Sequence, residues 1–431
     1  MNRIIVLGGG LTGLSTAYHL ARHGASSVVL EQHASPGGAC RTEVHGAYHF
    51  DLTGHLLHLQ REPSHALLAE LGVAGAFRLH RRRAGVALAG TITPYPIQIH
   101  THRLPREIRR DCVAGFVEAR LQGGDANHEG GNFADWVLTR FGAGFARHFF
   151  FPYNRKLYCT EPKVLTTEWV GRYVPRPELA DVIDGAFGLY RKPVGYNATF
   201  LYPREGGIQG LANSLAARLG GLRLSSPVRV VRLGARELEL ASGERLGWDR
   251  LVATGPLSHL VTMTEDLPAG LRTTATELHA VGVANLNLGV RGAPPRREHW
   301  LYVPEERYPF YRVGIPSNHG RLAPPGHHTL SVEVSLPAGM APPPDLTERC
   351  LEGLGTLGLL RDRRDVEVAE VARLDPAYVV FDAARPAAVA ALREHYRRAG
   401  VILAGRWAEW KYSTMEDALD DGAAVARRLL R

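Results

Sequence analysis

The first apolar run, Ile4–Leu7, places three β-branched residues in a row without a polar break. That is the pattern of a parallel strand buried on both faces. Hydrophobic positions then recur at helical spacing from about Leu11 to His23, and Gly24 supplies the stop. Ser27–Leu30 reads as a second strand. Thr91–His100 alternates around two prolines and predicts an edge strand with an exposed tyrosine. From Leu104 to about Tyr190 helical periodicity dominates, with helices expected over 107–122, 132–151 and 166–173. Strands then return. A pair is expected across 225–243, a buried strand over 250–256, two strands of a second sheet over 281–290 and 329–334, and a parallel-type strand over 400–407. A last helix is expected to start near Asp417, a candidate N-cap.

This order predicts a three-part α/β protein. A discontinuous dinucleotide-binding domain of Rossmann type takes 1–80, 200–280 and 396–431; a helical insertion takes 103–192; an antiparallel sheet domain takes 81–102, 193–199 and 281–395. At roughly 100–200 residues per domain, 431 residues suit two or three such units.

The first turn carries the clearest chemistry. Gly8-x-Gly10-x-x-Gly13 follows the first strand directly. Gly8 permits the tight turn, Gly10 lets a pyrophosphate approach the backbone, and Gly13 allows helix to pack on strand. Leu11 and Thr12 begin the helix whose N–H groups would face the phosphates. Glu31, 18 residues beyond Gly13, ends the second strand where a ribose-binding acid belongs, with Gln32 beside it. An acid there argues for a free ribose 2′-hydroxyl, hence FAD or NAD. The second glycine pair, Gly37-Gly38, lets the chain pass close to a long extended cofactor and favours FAD, with Arg41 next to it. Thr53, Gly54 and His55 form a tight loop able to reach a flavin ring. Val228, Thr254, Gly405 and Arg406 sit at the returning strands. The last helix, with Glu416, Asp417 and Ala418 in its first turn, would aim its positive dipole end at the flavin pyrimidine ring.

Composition narrows the partners. The net charge is +8, yet only four basic residues are lysine: Lys156, Lys163, Lys192 and Lys411. Arginine grips phosphate oxygens in pairs, so an anionic substrate is compatible with this bias. The basic runs are short and no nucleic-acid reading motif accompanies them, so nucleic acid is not expected. No apolar run reaches 18 residues, so no membrane span is expected. Cys40, Cys112, Cys159 and Cys350 lie far apart without zinc-ligand spacing, so no metal and a reduced, cytoplasmic setting are expected. The chain enters a strand at once, which leaves no room for a signal peptide.

Six stretches in order, 54–58, 94–98, 151–158, 195–208, 300–318 and 404–412, resemble the UDP-galactopyranose mutases, the eukaryotic type more than the short bacterial type. The resemblance implies a GR2-like FAD domain. It implies an isomerase that interconverts pyranose and furanose forms of a nucleotide-diphosphate hexose, such as galactofuranose, on reduced FAD without net redox change. In that mechanism flavin N5 attacks the anomeric carbon and the nucleotide leaves and later returns. NAD(P)H or another reductant must reduce the flavin. By motif match Arg312 would bind the diphosphate. Tyr302, Tyr378 and Tyr412 would hydrogen-bond it, and Asn197 would touch the sugar or the phosphates. Tyr95 and Gln98 would lie at the nucleotide end, Tyr153 and Asn154 in the helical region that holds the base. His55 would sit against the flavin and Arg406 would contact it.

The chain also departs from that pattern. Tyr173 stands where the family carries a second diphosphate arginine, with Arg172 and Arg176 on either side. Of these, Arg176 is expected to swing back to the phosphates, because it follows Pro175 and leaves the helix. Ile97 replaces an aromatic ring near the base, which opens GDP-sugars beside UDP-sugars. His319 replaces a tyrosine. An FAD oxidase or desaturase of the amine oxidase or protoporphyrinogen oxidase type is the alternative; it shares the FAD framework and would need an apolar tunnel rather than a phosphate clamp.

Overall fold

The structure is a computed structural model that describes residues 3–123, 131–171, 173–191, 195 and 197–431. Its first layer is an all-parallel five-stranded sheet. The strand order is Val401–Leu403, Arg250–Ala253, Ile4–Leu7, Ser27–Leu30 and Leu222–Arg223. Helices Leu11–Arg22 and Met415–Leu429 pack on each other beside this sheet. Their approach is close because of Gly422: a Cβ there would sit 2.6 Å from the Thr12 carbonyl oxygen. The Ser15 hydroxyl adds a 2.6 Å bond to the Leu419 carbonyl.

The second sheet has seven strands, in the order Val366–Val379, Ala280–Arg291, His327–Pro337, Arg312–Gly314, Trp300–Tyr302, Ala84–Leu88 and Thr91–Pro94. One pairing departs from the expected antiparallel sheet. Trp300–Tyr302 runs parallel to Ala84–Leu88, so the sheet is mixed. The sequence pattern did not disclose Val366–Val379. It is an edge strand with Glu367, Ala369, Glu370, Val371 and Arg373 exposed, so its apolar alternation is short and interrupted.

The helical region contains Arg106–Leu121, Phe133–Phe145, Phe151–Tyr158 and Leu179–Phe187. The single helix expected over 132–151 is broken at Gly142, which has φ 75°. A Cβ at Gly142 would lie 1.9 Å from the Gly115 carbonyl oxygen, so the chain turns there to let two helices touch. A π-helical stretch, Ala146–Phe150, follows. The helix expected over 166–173 does not form among the described residues. Asn132 pairs with Thr166 in an isolated bridge, and the Thr166 amide donates to the Phe381 carbonyl at 2.6 Å. This stretch is held by tertiary contacts rather than by its own periodicity.

Two smaller corrections bear on the site. Thr91–Pro94 is an edge strand, but Tyr95 beyond it is half-buried rather than exposed. The last helix starts at Met415, capped by Thr414. Asp417 is the third residue of a capping box, its carboxylate accepting from the Thr414 amide at 2.8 Å.

Candidate active site

One cavity of about 1250 Å³ runs from the glycine loop to the helical region. Pockets for one small molecule usually measure about 300–1,000 Å³, so this one has room for a dinucleotide and a second ligand.

The cofactor end is shaped by backbone. Gly8 has φ 113° and Gly37 has φ 121°, both left-handed conformations that favour glycine. A Cβ at Gly13 would lie 2.0 Å from the Gly8 carbonyl oxygen, so Gly13 packs beneath the loop and does not line the cavity. Gly10 differs: an added Cβ meets only the Gly38 Cα, at 3.9 Å, and otherwise projects into open space. Gly37 and Gly38 belong to the same structure, because the Gly37 amide donates to the Gly9 carbonyl at 2.8 Å. Glu31 is buried, accepts from the Gly9 amide at 2.7 Å and the His33 amide at 2.8 Å, and lines the cavity with Gln32. Leu11, Thr12, Val228 and Thr254 also line it. Arg41 lines it too, and its Nε is buried without a hydrogen-bond partner, as a donor awaiting an anion would be. These features fit FAD.

At the far end of the cofactor channel lie Thr53, Gly54, His55, Arg406 and Ala418. His55 Nδ1 lies 3.2 Å from the Thr53 carbonyl. Burial pushes its imidazole down to about 4, so it is neutral at pH 7. Arg406 donates to the Ser413 carbonyl at 2.9 Å and the Ala377 carbonyl at 3.2 Å. Its guanidinium lies over the Tyr412 ring at 4.9 Å and the Tyr378 ring at 5.5 Å. Besides Gly13, three expected cofactor residues do not line this cavity. Gly405, with φ 85°, packs on Thr12. Glu416 is turned inward, accepting from the Gln60 and Arg61 amides at 2.8 Å each. Asp417 pairs with Arg61 at 2.7 Å.

The second part of the cavity brings together most of the expected substrate residues. Tyr302 and Arg312 face each other across neighbouring strands. Arg312 is gripped by the buried Glu333, through Nε at 2.9 Å and Nη2 at 2.7 Å. Burial works against the Arg312 cation, but its pKa is nonetheless raised well above the ordinary value, with Glu333 the largest of the opposing causes and the Tyr378, Tyr311 and Tyr153 phenols adding to it. Tyr95 lies 4.7 Å from Tyr302 by ring centroid, and Tyr153 lies 5.4 Å from it. Tyr173 meets Tyr412 edge-on at 4.5 Å. Burial raises the Tyr95, Tyr302 and Tyr378 phenols, so all three are neutral donors. Gln98 and Asn154 line the cavity but are buried; Gln98 bonds the Pro175 carbonyl at 3.3 Å and Asn154 the Phe150 carbonyl at 2.8 Å. Asn197 lines it and accepts from Arg82, which lies 5.1 Å over the Tyr95 ring.

Two expectations change here. Arg176 is exposed and lies over the Trp136 ring at 5.6 Å, outside the cavity. Ile97 is wholly buried in the helical core and does not line the cavity, so its loss of a ring opens no space there. Arg172 lies outside the described residues. Sequence reasoning missed Glu333 and Arg82. Glu333 sits between Val332 and Val334 in a strand read only as part of the second sheet, and Arg82 is one of three consecutive arginines with nothing local to single it out. Among the described residues no group of three or more His, Cys, Asp and Glu side chains is placed to hold a metal, and no helix is long and apolar enough to cross a membrane.

A family model for flavin-containing amine oxidoreductases matches residues 11–430. Among solved structures, a reduced UDP-galactopyranose mutase aligns with a TM-score of 0.92 at 25% identity, covering 100% of this chain and 96% of that one. A protein assigned as a protoporphyrinogen oxidase from Exiguobacterium sp. 255-15 aligns at 0.75 and 17% identity over 99% and 98% of the two chains. A putrescine oxidase variant aligns at 0.65 and 14% over 100% and 99%. The last two share the fold.

Proposed function

The chain belongs to the flavin-containing amine oxidoreductase family, and within it we propose a nucleotide-sugar mutase that interconverts pyranose and furanose forms of a UDP-hexose. The observation that carries this reading is the Arg312 clamp, a forked cation fixed by a buried carboxylate and faced by neutral phenols. Such a set suits a diphosphate that must leave and then return to the same sugar. Likeness to a UDP-galactopyranose mutase over the whole chain also supports it.

The glycine loop, Glu31 and Arg41 would hold FAD by its ADP half. Bound and reduced, the flavin would supply the nucleophilic nitrogen. Arg312 and the phenols of Tyr302 and Tyr378 would neutralise charge on the departing diphosphate and keep it in place. Neutral His55 presents no positive charge to the flavin edge. The N-terminus of Met415–Leu429, with Met415 and Ala418 on the cavity wall, would stabilise negative charge on the reduced ring.

An oxidase reading draws on a different part of the wall, where Phe133, Phe149 and Phe150 present apolar surface. Turnover separates the two. Dithionite-reduced enzyme should convert a UDP-hexose without consuming an oxidant. Stoichiometric oxygen uptake with an amine or another reduced organic substrate, and none of this conversion, would establish the oxidase reading instead. A parallel assay with GDP-hexoses checks the base.

A further inference from the structure

Lys156 is one of only four lysines in a chain that otherwise uses arginine. It lies on helix Phe151–Tyr158, half-buried, and its Nζ points into the connection between strands Trp300–Tyr302 and Arg312–Gly314. There it donates to three main-chain carbonyls: Val303 at 2.8 Å, Glu305 at 2.9 Å, and Phe310. An ammonium has three donors in tetrahedral array and no acceptor, so this site uses all of them. A planar guanidinium cannot aim its N–H groups at three converging carbonyls in this way.

The connection so held begins one residue after Tyr302 and ends two residues before Arg312. The neighbouring Arg155 adds a bond to Glu306 at 2.8 Å, on the outside of the same connection. On the same helix Tyr153 and Asn154 reach the cavity, and the Tyr153 ring packs on Tyr302 and on Tyr311, at 5.4 and 6.2 Å. One helix thus carries cavity residues of its own and fixes the strand pair that carries Tyr302 and Arg312.

We infer that Lys156 is a positioning residue for the diphosphate site: its ammonium locks the 303–310 connection and so sets Arg312 and Tyr302 against Tyr153. This rests on the nucleotide-sugar reading above. Burial pushes the ammonium down to about 7, while Glu305 and Glu306 work to keep it charged. A methylene chain without the charge leaves three carbonyls unpaired and the connection untied.

The test is a double-mutant cycle on the purified flavoprotein, read by titration with UDP. Lys156→Met should bind FAD as the wild type does and UDP at least tenfold more weakly. Lys156→Arg should not restore UDP binding. Lys156→Met/Arg312→Ala should be within about twofold of Arg312→Ala alone, because residues acting as one unit are not additive. Amide hydrogen exchange over 303–311 should rise in Lys156→Met. UDP affinity within twofold of wild type in Lys156→Met overturns the proposal, as does a double mutant showing the full product of the two losses. If Lys156→Met loses FAD, Lys156→Gln takes its place in the same cycle with the same criteria. Wild-type enzyme that binds neither UDP nor GDP overturns the nucleotide-sugar reading and with it this role in the diphosphate site. The exchange measurement then still decides whether Lys156 ties the connection.

Discussion

Arg312 and Glu333 form a forked pair, Nε to one carboxylate oxygen at 2.9 Å and Nη2 to the other at 2.7 Å, with Glu333 almost fully buried. The carboxylate also accepts from the Tyr311 hydroxyl and, at 3.3 Å, from the Gly54 amide. One buried acid therefore ties the cation to the loop that carries His55. Removing it leaves a guanidinium without its counter-charge. Glu333→Ala should cost about 3–5 kcal/mol of stability, seen as a lower thermal midpoint. Glu333→Gln should be milder in stability yet at least tenfold slower in turnover, because a neutral amide holds the fork less firmly.

Arg312 should matter for the reaction as well as for the fold, because its loss leaves the buried Glu333 carboxylate without a counter-charge. Arg312→Ala should lower turnover by about two orders of magnitude, since losing a charged partner of a phosphate costs a few kcal/mol and each 1.36 is tenfold. Arg312→Lys should also be clearly impaired, because an ammonium cannot fork onto two oxygens. Steady-state kinetics on reduced enzyme decide it; near-wild-type rates in the alanine variant remove Arg312 from the site.

The glycines of the first loop should behave differently from one another. At Gly13 an added Cβ strikes the protein's own Gly8 carbonyl, so Gly13→Ala should destabilise the apoprotein. At Gly10 the nearest protein atom is 3.9 Å away, so Gly10→Ala should leave the apoprotein's melting temperature unchanged and weaken FAD. Flavin absorbance and apoprotein melting, read side by side, separate the two. Equal FAD retention in Gly10→Ala and wild type would place the pyrophosphate elsewhere.

Acid should destabilise the protein from about pH 6.5 downward. Burial pushes His55 down to about 4 and His299 down to about 3. The unfolded chain takes up these protons near 6.5 and the folded one does not, so stability falls as pH drops from about 6.5 towards 4. Each such group contributes a slope of about 1.4 kcal/mol per pH unit while the two states differ by a full proton. Asp51, raised to about 6 by burial, works in the opposite sense below pH 6, but burial also lowers His58, His80, His100 and His319, so the histidines outweigh it. Melting temperatures across this range should fall, and His299→Asn, which keeps an acceptor for the Arg83 amide, should flatten the fall.

Arg176 should contribute little to nucleotide binding. It lies over Trp136 on the exposed side of the helical region. Arg176→Ala should bind UDP within about twofold of wild type by titration. A tenfold loss would mean that this arginine reaches the phosphates when the nucleotide is bound.

The cofactor loop was legible in the sequence because some 30 consecutive residues carry all its constraints: strand, tight turn, helix start and acid. The far half was legible only through resemblance. Tyr95, Tyr153, Tyr302 and Tyr378 come from four distant segments, and no local spacing requires them to meet. Glu333 was missed for a physical reason. In a strand with one solvated face, an acid between valines reads as facing water, yet both faces of His327–Pro337 are covered around that position. Arg176 shows the opposite error. A proline explains where the chain leaves a helix but not which way the next side chain turns.

The parallel sheet places Ile4–Leu7 between Ser27–Leu30 and Arg250–Ala253, with Val401–Leu403 beyond, and helix Met415–Leu429 seals the glycine-loop helix. The glycine loop and the helix that covers it lie about 400 residues apart along the chain. Synthesised at roughly 5–20 residues per second, that interval takes on the order of a minute. Until Arg250–Ala253 is made the first strand has one proper neighbour and an open edge, and the helix that covers the glycine loop comes later still. Flavin capture therefore waits until the covering helix has been made, and a nascent chain stalled before residue 400 should emerge colourless.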